Sequence, residues 1–273
     1  MNFLPLPPSD IAEQATNTTN QTIMEIAIAL GVIAVYVAAV RLRMKYDSWV
    51  PVAIALGSTF CALIEPLPDV VANLWYYAPD QNTLYTSYEN PFPTWTYFSY
   101  TVVYGGFGLL FWRLTEGGWP RRKLLTACIP VAAYLAASEL FMINLLDLYT
   151  YYGPAAFKVA SFPVWICILN TTIVVSIGIV GARIRRSLAG PDAILAAFLL
   201  PGICMTLGLI FIPSVLWTLV HSADPDQGWI YAATMLVIAT GVAMIHLATR
   251  FVPAKGFPVA DGEKPAADLA GTA

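Results

Sequence analysis

The sequence predicts an all-α integral membrane protein: a seven-transmembrane-helix bundle with its N-terminus outside and its C-terminus in the cytoplasm. Three observations predict it. Of the 273 residues, 58% are hydrophobic and only 11% charged, with a mean hydropathy of +0.66. A soluble domain carries about 25% charged residues to cover its water-facing surface, so a chain this apolar takes the bilayer as its solvent. Next, seven apolar runs reach the ~20 residues that a helix needs to cross a membrane. Finally, of the 14 Lys and Arg, every one but Lys158 falls in a segment that these seven runs put on a single side. The positive-inside rule makes that side cytoplasmic.

Residues 1–21 are rich in Pro, Asn and Thr and read as a flexible extracytoplasmic N-terminus. Asn17-Thr18-Thr19 and Asn20-Gln21-Thr22 match the glycosylation sequon. Residues 22–250 form the membrane domain. Its spans are predicted at Thr22–Leu42, Trp49–Tyr77, Thr94–Trp112, Leu124–Leu148, Val159–Ala182, Ala193–His221 and Trp229–Thr249. The second is broken by Pro66 and Pro68, and the sixth is kinked by Pro201 and Pro213, because each proline removes a backbone donor. Arg41, Arg43 and Lys45 follow the first span, and Arg113 with Arg121–Lys123 follow the third. Arg183, Arg185 and Arg186 follow the fifth, and Arg250, Lys255 and Lys264 the last. Residues 251–273, rich in Pro, Ala and Gly, read as a disordered cytoplasmic tail.

The opposite loops carry acids and aromatics. Trp75, Tyr76, Tyr77, Trp95, Tyr97, Tyr149, Tyr151, Tyr152 and Trp229 read as an outer interfacial belt. Lys158 is expected to pair with Asp147 there. Cys61, Cys128, Cys167 and Cys204 are scattered singly in apolar runs and read as buried thiols, neither disulfides nor metal ligands. The net charge of -3 and short basic clusters exclude a nucleic-acid surface. The expected partners are membrane lipids and a lipophilic small molecule, with no cofactor and no metal. The expected location is a cell membrane, the bacterial plasma membrane in particular. Nothing in the sequence sets an oligomeric state.

Two carboxylates, Glu65 and Glu139, lie deep in the spans. A charge at depth costs at least a few kcal/mol, so such residues face the bundle interior and are functional by default. Helix rise puts Glu65 ~24 Å and Glu139 ~22 Å above the inner edge, Asn170 ~17 Å below the outer edge, and Tyr100 and Tyr104 ~9–15 Å below it. All fall in the outer half of a ~30 Å core. Glu65, Asp69 and Asn73 share a face if the helix resumes after Pro68. Glu139 and Asp147 share one on the fourth span, with Asn144 beside them. The predicted catalytic residues are Glu65, Asp69 and Glu139. The predicted substrate-binding residues are Tyr100, Tyr104, Asn144, Asp147 and Asn170.

A protonated carboxyl in an apolar cavity can protonate an alkene, an epoxide or a carbonyl, and a second carboxylate or a phenol can orient it or take a proton back. Aromatic walls can steady a passing cation. That reading is a membrane enzyme carrying out a cyclisation or isomerisation on a lipophilic, isoprenoid-like substrate. Two others stand beside it. One is a proton- or solute-coupled transporter using Glu65, Glu139 and Asn170, and the other a sensory or scaffold protein in which the acids only fix helix packing.

The run Glu65-Pro66-Leu67-Pro68-Asp69, with Trp75-Tyr76 and Asn90-Pro91-Phe92-Pro93-Thr94-Trp95 after it, resembles a pattern in uncharacterised seven-span proteins of actinobacteria. More loosely, seven short spans with a glutamate late in the second resemble the fungal transmembrane terpene cyclases of meroterpenoid pathways. That resemblance implies acid-initiated cyclisation with Glu65 as the acid. The second acid of that family lies in its last span, where this sequence has neither Asp nor Glu. Glu139 is the residue that would replace it.

Overall fold

A computed structural model describes residues 6–222 and 226–258. A single-turn helix, α1 (Ser9–Ala12), precedes α2 (Thr18–Tyr46). α2 begins four residues earlier than predicted because the Asn17 side chain caps it, accepting from the Asn20 amide at 3.0 Å. The segment before it is pinned rather than loose. The Thr16 hydroxyl donates to the Tyr77 carbonyl and the Thr16 amide donates to Pro79 O at 2.8 Å. Residues 1–5 lie outside the described residues.

The second apolar run splits. α3 (Val50–Cys61) passes through a 3-10 turn (Ala62–Ile64) into α4 (Pro66–Ala72), with a bend of 57°. Pro66 takes the first position of α4, where a missing N–H costs nothing. Strand β1 (Leu74–Tyr76) follows, then the hairpin β2 (Thr83–Ser87) and β3 (Asn90–Pro93). The third run is helical from end to end. α5 (Thr94–Tyr100) feeds a π-helical segment (Thr101–Phe107) and then α6 (Gly108–Glu116).

α7 (Arg121–Asn144) ends four residues short of the predicted limit. β4 (Tyr149–Tyr151), β5 (Lys158–Val159) and β6 (Phe162–Pro163) come next, and α8 (Trp165–Ser187) starts six residues later than predicted. The β5–β6 turn explains the delay: Ala160 and Ser161 have φ of 45° and 71°, outside helical space. The chain closes with α9 (Gly190–Met205), a second π-helical segment (Thr206–Phe211), α10 (Ser214–Val220) and α11 (Gln227–Arg250). Among the described residues, five helical stretches are long and apolar enough to cross a membrane, six when the bent pair is taken as one. The chain therefore has the helices of a multi-pass, all-α membrane protein. The sequence reading did not foresee the strands, which pair β1 with β4, β2 with β3 and β5 with β6, all antiparallel.

α8 is the central post, with 83% of its most apolar stretch buried, whereas the corresponding stretch of α2 is 11% buried at the edge. Small residues let the backbones approach, as membrane helices require. A Cβ on Gly178 of α8 would sit 2.4 Å from Phe111 Cβ, and one on Gly57 of α3 would sit 2.0 Å from the Phe198 carbonyl oxygen of α9. One end of the bundle carries the strands. The other carries the arginines, where buried Glu116 accepts from Arg186 Nε at 3.1 Å and Nη2 at 2.7 Å and lies 3.5 Å from Arg185. Residues 251–258, predicted as disordered, fold back against that end. Val252 and Phe257 are buried, Arg121 donates to the Val252 carbonyl at 2.9 Å, and Arg186 stacks over Phe257. The rest of the predicted tail, 259–273, lies outside the described residues.

Candidate functional site

The bend in the second run creates the site. The two prolines stop α3 and restart the chain as α4 at a new angle, and Glu65 stands at the joint. Four residues on, one turn of α4 brings Asp69 to the same side. Both are buried, Glu65 at 5% exposure and Asp69 at 2%. Together they line a cavity of about 350 Å³. Asp69 and Tyr100 are the polar neighbours of the Glu65 carboxyl. Glu65 Oε2 and both Asp69 carboxylate oxygens nevertheless lack a hydrogen-bond partner among the described residues. Buried polar atoms are nearly always satisfied, and one proton held between the two carboxyls satisfies these oxygens from within the pair.

Glu139 of α7 reaches the same cavity and is better held. Its Oε2 accepts from the Tyr149 hydroxyl at 2.6 Å and from the Tyr151 hydroxyl at 3.1 Å. Tyr104, within the first π-helical segment, donates to Asn170 Oδ1 of α8 at 2.8 Å, and both line the cavity beside Tyr100. Six of the eight predicted site residues thus meet in one place. Among the described residues, no three His, Cys, Asp or Glu side chains come close enough together to hold a metal ion.

Asn144 and Asp147 are corrections. Neither lines the cavity. Asn144 is exposed and donates to Leu140 O and Ala160 O at 2.9 and 3.4 Å. Asp147, past the end of α7 with φ of 52°, accepts from Gln14 at 3.0 Å. The eight-residue spacing that put Asp147 on one face with Glu139 assumed a helix that in fact stops at Asn144. Asn73 also leaves the predicted face, because it caps α4 in the left-handed region. Lys158 donates to the Tyr151 and Gly153 carbonyls at 3.1 and 3.2 Å, where pairing with Asp147 was expected.

The residues that sequence reasoning missed come from the predicted belt. Tyr76, Tyr149 and Tyr151 are buried, because β1 pairs with β4 in the register Tyr76↔Tyr149 and lays their rings over the cavity. The Tyr76 ring lies 5.6 Å from that of Tyr149 and 6.1 Å from that of Trp95, and Trp95 stacks on Tyr149. Trp229, by contrast, is 66% exposed, as a belt residue should be. The usable signal was the Tyr149-Thr150-Tyr151 alternation, which is strand-like.

Comparison with known proteins gives no match: no family model, no curated protein and no solved structure is similar to this chain. The chemistry must therefore be argued from the site itself. A carboxyl pair can hold one proton between its members, so that one gives a proton while the other receives one. Phenols and indoles around it supply apolar bulk and ring faces that favour positive charge. Glu139, bound by two phenols, is a fixed negative or hydrogen-bonding pole on another wall.

Proposed function

We propose that this chain is a membrane enzyme that performs acid–base chemistry, a cyclisation or isomerisation, on a lipophilic, isoprenoid-like substrate held in this cavity. Glu65 gives the proton, Asp69 shares and receives it, and Glu139 with Tyr149 and Tyr151 steadies positive charge as it develops. The helical run Thr94–Glu116 completes seven spans with the five long helices and the bent pair. In this proposal the strand-capped end faces out and the arginine-rich end faces the cytoplasm. The resemblance to actinobacterial seven-span proteins favours a bacterial plasma membrane.

One observation carries the reading: two adjacent buried carboxyls line an aromatic-walled cavity large enough for a small ligand. The alternative of a solute path finds less support. Towards the arginine-rich end Phe111, Trp112, Ile177 and Ile179 are wholly buried, so the bundle there is dry and closed.

The test is Glu65→Gln, which keeps shape and removes the acid. Purified protein in nanodiscs is incubated with lipid extract of its host, and the products are followed by chromatography and mass spectrometry. Cyclisation and isomerisation conserve mass, so the product shares its substrate's formula and differs in retention. Loss of a general acid should slow its formation by about 10²–10⁴-fold. A folded Glu65→Gln protein that forms the product at the wild-type rate would remove the acid role.

A further inference from the structure

We infer that the cavity is loaded sideways from the lipid, through a window between α2 and α7, and that its substrate is an amphiphile whose tail stays in that window. The inference rests on reading the cavity as a substrate site. It adds the route and the substrate's shape.

The window is defined by residues that line the cavity and also face outward. Ala27 on α2 is exposed, and on α7 Tyr134 is 57% and Phe141 47% exposed. A residue that is open on both counts sits at a mouth. The two helices belong to different neighbours: α2 packs along α3, α5 and the first π-helical segment, and α7 along α8 and α11. Contacts bound the mouth above and below. Above, Asn20 Nδ2 donates to Leu146 O at 2.9 Å and Gln14 donates to Asp147 at 3.0 Å. Below, the mouth is floored by Phe107 of the first π-helical segment, whose ring lies 5.3 Å from that of Tyr134 on α7. From Phe141 to Tyr134 is seven residues, so the opening is about 10 Å tall along α7.

The water-facing route is covered. The β1–β4 pair lies across the strand-capped end with Tyr76, Tyr149 and Tyr151 buried beneath it, and the Thr16–Tyr77 hydrogen bond straps the N-terminal segment over it. A cavity of about 350 Å³ is at the small end of ligand pockets, so it holds the reactive end of a lipid and not a whole one. The buried carboxyls of Glu65 and Asp69 mark the pole at which that end stops.

The experiment uses a long-chain alcohol bearing a diazirine near its hydroxyl end and a terminal alkyne, presented in nanodiscs with the full chain. On illumination the diazirine loses nitrogen, and the carbene inserts into a carboxyl O–H to leave an ester that peptide mass spectrometry locates. Adducts are expected on Glu65 or Asp69 in the wild type. Ala27→Trp, a lipid-facing change, should cut them at least tenfold while total incorporation on the other helices is unchanged. Phe141→Ala widens the mouth and should raise the adduct rate about threefold, which keeps the test open if the tryptophan variant does not fold. Absence of cavity adducts in the wild type, adducts undiminished by Ala27→Trp, or a rate unmoved by Phe141→Ala would each overturn the window. Window-dependent adducts together with a fully active Glu65→Gln would keep the route and remove the acid role.

Discussion

Gly57→Ala tests the platform on which the bend stands. Gly57 lies on α3 two turns before Glu65, and a methyl built there meets the Phe198 carbonyl oxygen of α9 at 2.0 Å, with the carbonyl carbon at 2.9 Å. Ordinary contact begins near 3.4 Å, so the helices must part by about 1.4 Å. The obstacle is backbone, which cannot rotate away. A gap of 0.5–1 Å already forfeits about a quarter to a half of each contact's dispersion energy, and overpacking itself costs about 1–3 kcal/mol. We therefore expect a loss of about 3 kcal/mol, or roughly 6–12 °C in melting temperature for a chain of this size. The control is on the same interface. At Gly202 of α9 the added methyl meets Ile64 Cδ1 at 3.5 Å and Cys61 Cβ at 4.0 Å, which is ordinary contact. Gly202→Ala should be neutral or gain up to about 1 kcal/mol of helix propensity. The assay is thermal unfolding in nanodiscs, read by the monodisperse fraction left after heating. A Gly57→Ala protein that melts with the wild type, or a Gly202→Ala protein that falls as far as Gly57→Ala, would refute the close α3–α9 crossing.

Three further outcomes follow from particular contacts. Tyr149→Phe removes the 2.6 Å bond to Glu139 and Tyr151→Phe the 3.1 Å one. Hydrogen bonds to charged groups contribute about 1.5–3 kcal/mol, so Tyr149→Phe should be the more costly in melting temperature, and the reverse order would show that Glu139 is held otherwise. Glu116→Gln leaves Arg186 beside a neutral amide in place of a carboxylate that is 1% exposed. Because Arg186 is itself 23% exposed, the expected loss is about 2 kcal/mol, below that of a fully buried pair. Ending the chain after Phe251 removes Val252 and Phe257, which are 0% and 7% exposed, and should cost about 3–5 kcal/mol. Ending it after Pro258 keeps both side chains and is the control, and equal losses from the two truncations would mean that the packed turn at 251–258 contributes nothing to stability.

The long apolar helices were legible in the sequence because a membrane span is set by local composition, and composition is what a sequence states directly. Glu65, Asp69, Tyr100, Tyr104, Glu139 and Asn170 were legible for a related reason: depth along a helix is counting, and counting within one helix is reliable. Asp147 failed where the counting crossed an unseen helix end. Tyr76 and Tyr149 failed more instructively. Each lies in a three-residue strand whose alternation does not name its partner, and each is buried because the other is there. Their partner is 73 positions away in the chain. The belt rule sorted them by hydropathy, which does not report pairing. The packed turn at Val252 and Phe257 was hidden in the same way, since its reason is Arg121 and Arg186 and not its own composition.

The irregular pieces of this fold belong together. Lipid offers no partner to a free backbone group, so broken helices at depth survive only inside protein or beside a cavity. Four departures from regular helix are found around one space. The 3-10 turn and proline restart deliver Glu65 and Asp69. The first π-helical segment delivers Tyr104, and the second delivers Leu209. The β1–β4 pair delivers Tyr76, Tyr149 and Tyr151. α8 and α11, which carry no such interruption, form much of the frame. Single-turn π segments inside helices are frequent at functional sites, and each adds a residue that turns the following side chains to a new angle. A packing role for the acids would need one regular contact between two straight helices. It would not need four separate distortions to converge on two buried carboxyls that face one another across a cavity wall.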